Sequence, residues 1–304
     1  MKSKTAEAIR RSPFFYVGDK FRLVSQLKEY FPTDIDRFIE PFCGGGSVFL
    51  NVDAESYLIN DINSYMIALH NMLIKYSSNV DDFWCDINEI INKYKLSASY
   101  LGKTVPEEYK VNFVKTYYAK FNKESYVKLR ADFNEDKSDL LKLYVLLIYG
   151  FNRMLRFNNN GDFNLPVGNV DFNQNVVNAL NAYFEYVSSK EIILYNRDFE
   201  EFIKEIKPNT DDFIYLDPPY LISFSEYNKL WNADTEKRLL NLLDELDRSN
   251  IRFAISNIIK HKNMYNEIFD KWSKNYNVHD ITSNYISFHD NTQKGSYEVL
   301  VTNY

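Results

Sequence analysis

No apolar run in the 304 residues reaches the ~18 needed to cross a bilayer. The charged start, Met1-Lys2-Ser3-Lys4, is not followed by an apolar signal core, so no secretion leader is expected. Cysteine is nearly absent. Cys43 and Cys85 are too few for a disulfide framework, and a reducing, cytoplasmic setting fits them. The four histidines, His70, His261, His279 and His289, are spread along the chain, and Cys-x-x-Cys does not occur. That argues against a metal. Internal repeats and low-complexity segments are lacking as well. Positive charge is in deficit: 36 Lys+Arg against 42 Asp+Glu leave a net charge of −6. Such a balance weighs against a nucleic-acid partner, because binding phosphates needs local positive charge.

The charge is unevenly spread, however. Residues 1–30 carry seven basic side chains against three acidic ones, and 140–169 carry three against one. A basic face on an acidic protein is compatible with both. With 45% hydrophobic and 26% charged residues, the composition is that of a globular chain with a sizeable core.

Strand and helix patterns alternate at both ends of the chain. "RFIEPF" (37–42) reads as a short buried strand, running into Cys43-Gly44-Gly45-Gly46 and then "SVFLNV", which predicts a helix. "SYLIND" (56–61) is a second strand, and "INSYMIALHNMLIKY" has apolar residues at helical spacing. This is the βαβ pattern of a parallel sheet covered by helices. From about residue 76 the alternation stops. Residues 81–136 suggest amphipathic helices, and "DLLKLYVLLIYG" (139–150) a buried helix ending at Gly150. In "RMLRFNNNGDFNLPVG" (153–168), Asn160-Gly161 between two alternating runs predicts a β-hairpin, since both residues tolerate the positive φ of a tight turn. Alternation resumes with strands at 192–198, 212–217, 251–257 and 296–304, and with helices at 199–206 and 234–249. The expected division is one α/β domain made of 1–75 and 191–304, with 76–190 inserted into it.

Three features carry chemistry. After a strand, Gly44 to Gly46 let the backbone approach a ligand closely, and Asp61 ends the next strand where an acid meets ribose hydroxyls. A bare structural turn is the alternative, and the absence of G-x-G-x-x-G disfavours a dinucleotide. Asp198 follows a strand, where it serves as a ligand acceptor, a helix N-cap, or both. Asp217-Pro218-Pro219-Tyr220 also follows a strand. Its prolines stiffen the chain, and the Asp217 carboxylate with nearby carbonyls suits an exocyclic amine offering two N–H donors. Tyr220 adds a ring that could stack on the same group. A plain proline turn is the other reading.

These segments together resemble the Dam-type adenine-specific DNA methyltransferases (D12 class, alpha group). The resemblance rests on "SPFFYVGDKFRLVSQLKEYFP", "RFIEPFCGGGSVFLN", "LINDIN", "FNRMLRFNNNGDFNLPVG", "RDFEEF", "DFIYLDPPY" and the closing "SYEVLVTNY", in the family's order. It implies a Rossmann-like methyltransferase sheet with an inserted, mainly helical DNA-recognition domain carrying the hairpin. It also implies S-adenosylmethionine as methyl donor and double-stranded DNA as partner, with no metal and no obligate protein partner. By resemblance Tyr16, Lys20, Glu40, Phe42, Gly44, Gly45, Gly46, Asp61, Asp198, Phe199 and Asp217 bind the cofactor. Asp217, Pro218, Pro219 and Tyr220 form the catalytic tetrapeptide for a flipped adenine. Arg153, Met154, Arg156, Asn158 and Pro166 meet DNA, with Arg156 reading a guanine and a G-A-T-C-type site as the first expectation. One departure stands out: the family commonly has Trp-Ala-Gly-Gly-Lys where this chain has Tyr16-Val17-Gly18-Asp19-Lys20. Rival readings are a cytosine-N4 or RNA amino methyltransferase, a nucleoside-binding module without catalysis, and, further off, a dinucleotide-dependent oxidoreductase.

Overall fold

The computed structural model describes residues 8–222, 231–282 and 296–304. Eight strands form one sheet: β1 (Arg37–Glu40), β2 (Ser56–Asn60), β3 (Glu191–Tyr195), β4 (Phe213–Leu216), β5 (Arg252–His261), β6 (Met264–Tyr265), β7 (Asn277–Ile281) and β8 (Ser296–Thr302). Their order is β3-β2-β1-β4-β5-β8-β7, with β6 paired to β5. The first five run parallel, and β8 enters antiparallel between β5 and β7.

Strands β1, β2, β4, β5 and β8 bury both faces through their two-residue period. Phe38, Tyr57, Phe213, Tyr215 and Leu300 face one apolar layer, while Ile39, Leu58, Ile214, Leu216 and Val301 face the other. The second layer is covered by α8 (Phe199–Ile206), α9 (Ala233–Arg248) and α10 (Glu267–Ser273). The first takes α1 (Val24–Lys28), α2 (Ser64–Tyr76), α3 (Val80–Lys93), α5 (Tyr117–Glu135), α6 (Leu140–Tyr149) and α7 (Gln174–Val187), while α4 (Glu107–Asn112) contributes no buried residue. Asn63, Asp139, Asn173, Asp198, Asn232 and Asn266 stand at helix N-caps, and each side chain accepts a hydrogen bond from a first-turn N–H. No helix is long and apolar enough to cross a membrane among the described residues.

Helices α2 to α7 lie between β2 and β3, neighbouring parallel strands. Their apolar side chains, such as Phe83 and Tyr149, join the same cluster as the sheet, as does Phe163 of the hairpin.

Two local expectations are corrected. "SVFLNV" forms a single 3-10 turn, Phe49–Asn51, rather than a helix. Asn51 diverts it: its side-chain N–H groups donate to the Ser47 and Arg10 carbonyls, so the segment is tied to the N-terminal strand of chain and turns back toward β2. The second concerns the hairpin turn. Only Gly161 takes a positive φ, +74°, and the Gly161 N–H donates to the Asn158 carbonyl. This is a three-residue loop ending in a left-handed glycine, in place of a two-residue turn with Asn160 and Gly161 both at positive φ. Asn158 favours it, because its side-chain oxygen accepts from the N–H groups of both Asn160 and Asp162.

Candidate functional site

Parallel strands deliver their C-terminal ends to one edge of the sheet, and the chemistry collects there. Glu40 ends β1 and the glycine turn follows it, Asp61 follows β2, Asp198 follows β3, and Asp217 follows β4. The predicted residues from four separate segments are thus brought together, along with Tyr16 and Lys20 from the N-terminal stretch.

The glycine turn is built from both sides. Gly44 and Gly46 have φ of +47° and +75°, and a Cβ on Gly46 would lie 2.3 Å from the Phe49 ring. A Cβ on Gly45 would lie 2.9 Å from Tyr16, so the N-terminal stretch lies against the turn. The Gly44 N–H donates to Asp61 Oδ2 at 2.8 Å, and the Asn63 N–H to Asp61 Oδ1 at 2.8 Å. Burial raises the Asp61 pKa, and these two donors oppose the rise.

Beneath the turn lies His70, whose sequence signal was only a histidine on the apolar face of α2. Its Nε2 is 2.9 Å from the Gly44 carbonyl and its Nδ1 is 3.1 Å from the Tyr183 hydroxyl. A carbonyl only accepts, so Nε2 carries the proton and Nδ1 accepts from Tyr183. Burial pushes the His70 pKa down to about 4. The unfolded chain therefore binds a proton below about 6.5 that the folded one refuses until about 4. Stability from this group is complete above pH 6.5 and is lost as pH falls toward 4, by about 3 kcal/mol in all. Urea titrations across that range should show the decline, and His70→Gln should flatten it. An unchanged slope in His70→Gln would refute the assignment.

Glu40 is 2% exposed and accepts from the Phe49 backbone, while its Oε2 has no hydrogen-bond partner among the described residues. Burial, then the nearby Asp217 charge, raises its pKa well above the usual carboxyl range. Asp217 Oδ1 is engaged twice: Lys20 Nζ lies 2.8 Å away, and the Tyr220 hydroxyl donates to it at 2.9 Å. Lys20 also stands 5.0 Å from the centre of the Tyr220 ring. Glu298 on β8, which no motif reading had assigned a role, completes the group. Its Oε1 is 3.3 Å from the Tyr220 hydroxyl and 3.8 Å from Lys20 Nζ. An acid set against the apolar run Val299-Leu300-Val301 was its signal in the sequence.

Asp198 is the N-cap of α8 and pairs with Arg238 at 2.8 Å. Arg238 also lies over the Phe199 ring at 5.0 Å. Phe42, Phe199 and Trp231 pack together with centroids 5.5 to 5.9 Å apart, Phe42 and Trp231 edge to face and the other two pairs tilted. Trp231 is fixed by donating to Glu236, whose buried carboxylate also accepts from Asn257 and Asn266. Nothing local in the sequence marked Arg238 or Trp231 for this site, because Asp198, Phe199 and Phe42, which they meet there, lie far along the chain. Asp19, the departure from the family pattern, caps the Phe21 N–H. Burial raises its pKa, and the Arg11 charge counters the rise.

The hairpin stands apart from this edge, but its base reaches back to it. Arg153 lies over the Phe15 ring at 4.3 Å, one residue before Tyr16, and burial lowers its pKa. Arg156 donates from Nε and a terminal nitrogen to the side chain and backbone of Asn164, at 2.9 and 2.7 Å. That uses two of its five donors and sets the guanidinium across the hairpin. Met154 is half-buried, and Asn158 and Pro166 are exposed. From α5, Arg130 donates to the Leu165 carbonyl and Asn134 bonds both backbone groups of Phe163, so the hairpin is anchored to a helix.

A family model described as D12 class N6 adenine-specific DNA methyltransferase matches residues 16–286. The chain is 35% identical to the type II methyltransferase M.FokI of Planomicrobium okeanokoites, over 100% of this chain and 44% of that protein. It is 33% identical to the modification methylase StsI of Streptococcus sanguinis, over 97% and 43%. A DNA adenine methylase of Vibrio cholerae is 28% identical over 67% of this chain and 63% of that protein. The chain therefore spans less than half the length of M.FokI and StsI.

Proposed function

The chain belongs to the D12 class of N6 adenine-specific DNA methyltransferases, and from that premise we propose that it methylates the N6 amine of adenine within a short double-stranded DNA sequence. The observation that carries the reading is Asp217. Its Oδ1 is held by Lys20 and Tyr220, which leaves Oδ2 beside the stiff Pro218-Pro219 turn to take an amine hydrogen.

The residues fit S-adenosylmethionine as donor. The unpartnered, buried Oε2 of Glu40 suits the ammonium of its amino-acid end. The glycine turn, closed to side chains, suits a close approach of backbone. Asp61 keeps lone pairs beyond its two backbone donors for ribose hydroxyls, and Phe42 with Phe199 offers aromatic surface to adenine. Bound there, S-adenosylmethionine supplies a methyl group already activated on a sulfonium sulfur.

The protein's task is then positioning. The adenine amine is a poor nucleophile, because its lone pair is delocalised into the ring. Hydrogen bonds from its N–H groups to Asp217 Oδ2 and the Pro218 carbonyl favour the pyramidal nitrogen of the transition state. The amine is buried in the duplex, so the base is flipped out and stacks against Tyr220. Residues 1–75 and 191–304 perform transfer, and 76–190 recognise the target, with Met154, Asn158 and Pro166 around Arg156. Names such as modification methylase, carried by StsI, suggest a restriction–modification setting.

The test is incubation with labelled S-adenosylmethionine and unmethylated DNA, followed by mapping of the modified base. Label in N6-methyladenine at one recurring sequence is the expected result. Label confined to cytosine or to RNA would sink the reading. For the hairpin, Arg156→Ala should weaken cognate binding by about 10- to 100-fold while scrambled duplex loses far less. Equal losses on both duplexes in a titration would reduce Arg156 to a phosphate contact.

A further inference from the structure

Glu298 is nearly fully buried, with its side chain 1% exposed, in a strand whose next three residues are apolar and buried. On β8 it is paired with Ile258 of β5 and Ile281 of β7, so its strand neighbours offer it no charge. A carboxylate in such a place is costly unless it is compensated. Its compensation includes Lys20 and the Tyr220 hydroxyl, which it shares with Asp217.

Simple neutralisation does not explain this arrangement. Lys20 already has Asp217 at 2.8 Å, so a second carboxylate at 3.8 Å exceeds what the ammonium needs. Within this trio one ammonium faces two carboxylates, so the charge of Lys20 is divided between Asp217 and Glu298. Glu40 does not add to this pair, since its free oxygen is the one assigned above to the ammonium of the donor.

We propose that Glu298 is a positioning residue of the transfer reaction, sharing Lys20 and Tyr220 with Asp217 so that Asp217 still presents a negative field to the amine. The inference rests on the function proposed above. Without Glu298, Lys20 would cancel Asp217 just where positive charge develops on the amine nitrogen. With it, the two carboxylates share the single hydrogen of the Tyr220 hydroxyl, at 2.9 and 3.3 Å, and so restrict the plane of the ring. Glu298 touches neither base nor cofactor in this scheme. It acts through Lys20, Tyr220 and Asp217.

Glu298→Gln keeps the shape and removes the charge. S-adenosylmethionine affinity by calorimetry and base flipping by 2-aminopurine fluorescence should stay within about twofold of wild type. Single-turnover methyl transfer should fall by about 10- to 100-fold. Glu298→Asp, which keeps the charge, should transfer faster than Glu298→Gln, and this comparison holds even if both variants are less stable. A Glu298→Gln rate within twofold of wild type would overturn the proposal. So would a loss matched by equal losses in binding and flipping, or a Glu298→Asp variant slower than Glu298→Gln. A wild-type protein that places no label on adenine would instead overturn the proposed function.

Discussion

Replacing Asp217 by alanine is expected to lower methyl transfer about a thousandfold while S-adenosylmethionine binding is largely kept. The loss is large because the acceptor is fixed in advance: the prolines hold the backbone, and Lys20 with Tyr220 holds Oδ1. Removing a preorganised partner of the transition state typically costs about 10²- to 10³-fold, and here a charge goes with it. Binding survives because Lys20 retains Glu298 as its counter-ion, so no buried ammonium is left without compensation. Asp217→Asn should lie between the two, since it preserves an acceptor and drops the charge. Labelled-methyl transfer in single turnover, with calorimetry for the donor, checks both parts. Full activity in Asp217→Ala would end the mechanism.

The second large effect is on stability. Gly46→Ala would set a methyl carbon 2.3 Å from Phe49 and 2.9 Å from His70, on a backbone with φ of +75°. Phe49 is itself fully buried, so neither ring can withdraw cheaply. Overpacking of about 1–3 kcal/mol and left-handed strain of about 1 kcal/mol together suggest about 3 kcal/mol. A fall in Tm of roughly 6–12 °C should follow, with weaker donor binding, because the turn that carries Gly44 must shift. A melting curve within 2 °C of wild type would show that the turn relaxes where the packing says it cannot.

Much of this was written locally. The parallel strands announced themselves as short apolar runs, and the residues at or just beyond their ends, Glu40, Asp61, Asp198 and Asp217, are the ones that gather at the sheet edge. Strand direction alone puts them there, so motif position translated directly into place. The N-cap alternative for Asp198 also proved real, and the Arg238 pairing was added to it by a helix forty residues on. What could not be read was contact across long separations. Lys20 and Glu298 are strangers in sequence, as are His70 and Gly44, and Trp231 meets Phe42 only because α9, which it precedes, packs on β5. The helix expected after the glycine turn failed for a related reason. Asn51 bonds to Arg10, a residue the local pattern does not contain.

Strand β8 has a consequence for how the protein comes into being. It is inserted between β5 and β7, both of which leave the ribosome before it, so the sheet waits with a gap until residue 302 is made. Glu298 arrives only with that closing strand. A nascent chain can therefore assemble the glycine turn and the Asp217 tetrapeptide early and still lack the complete charge arrangement around Lys20. On the function proposed above, a chain made only as far as β7 would lack the Glu298 share of that arrangement, as a by-product of sheet topology.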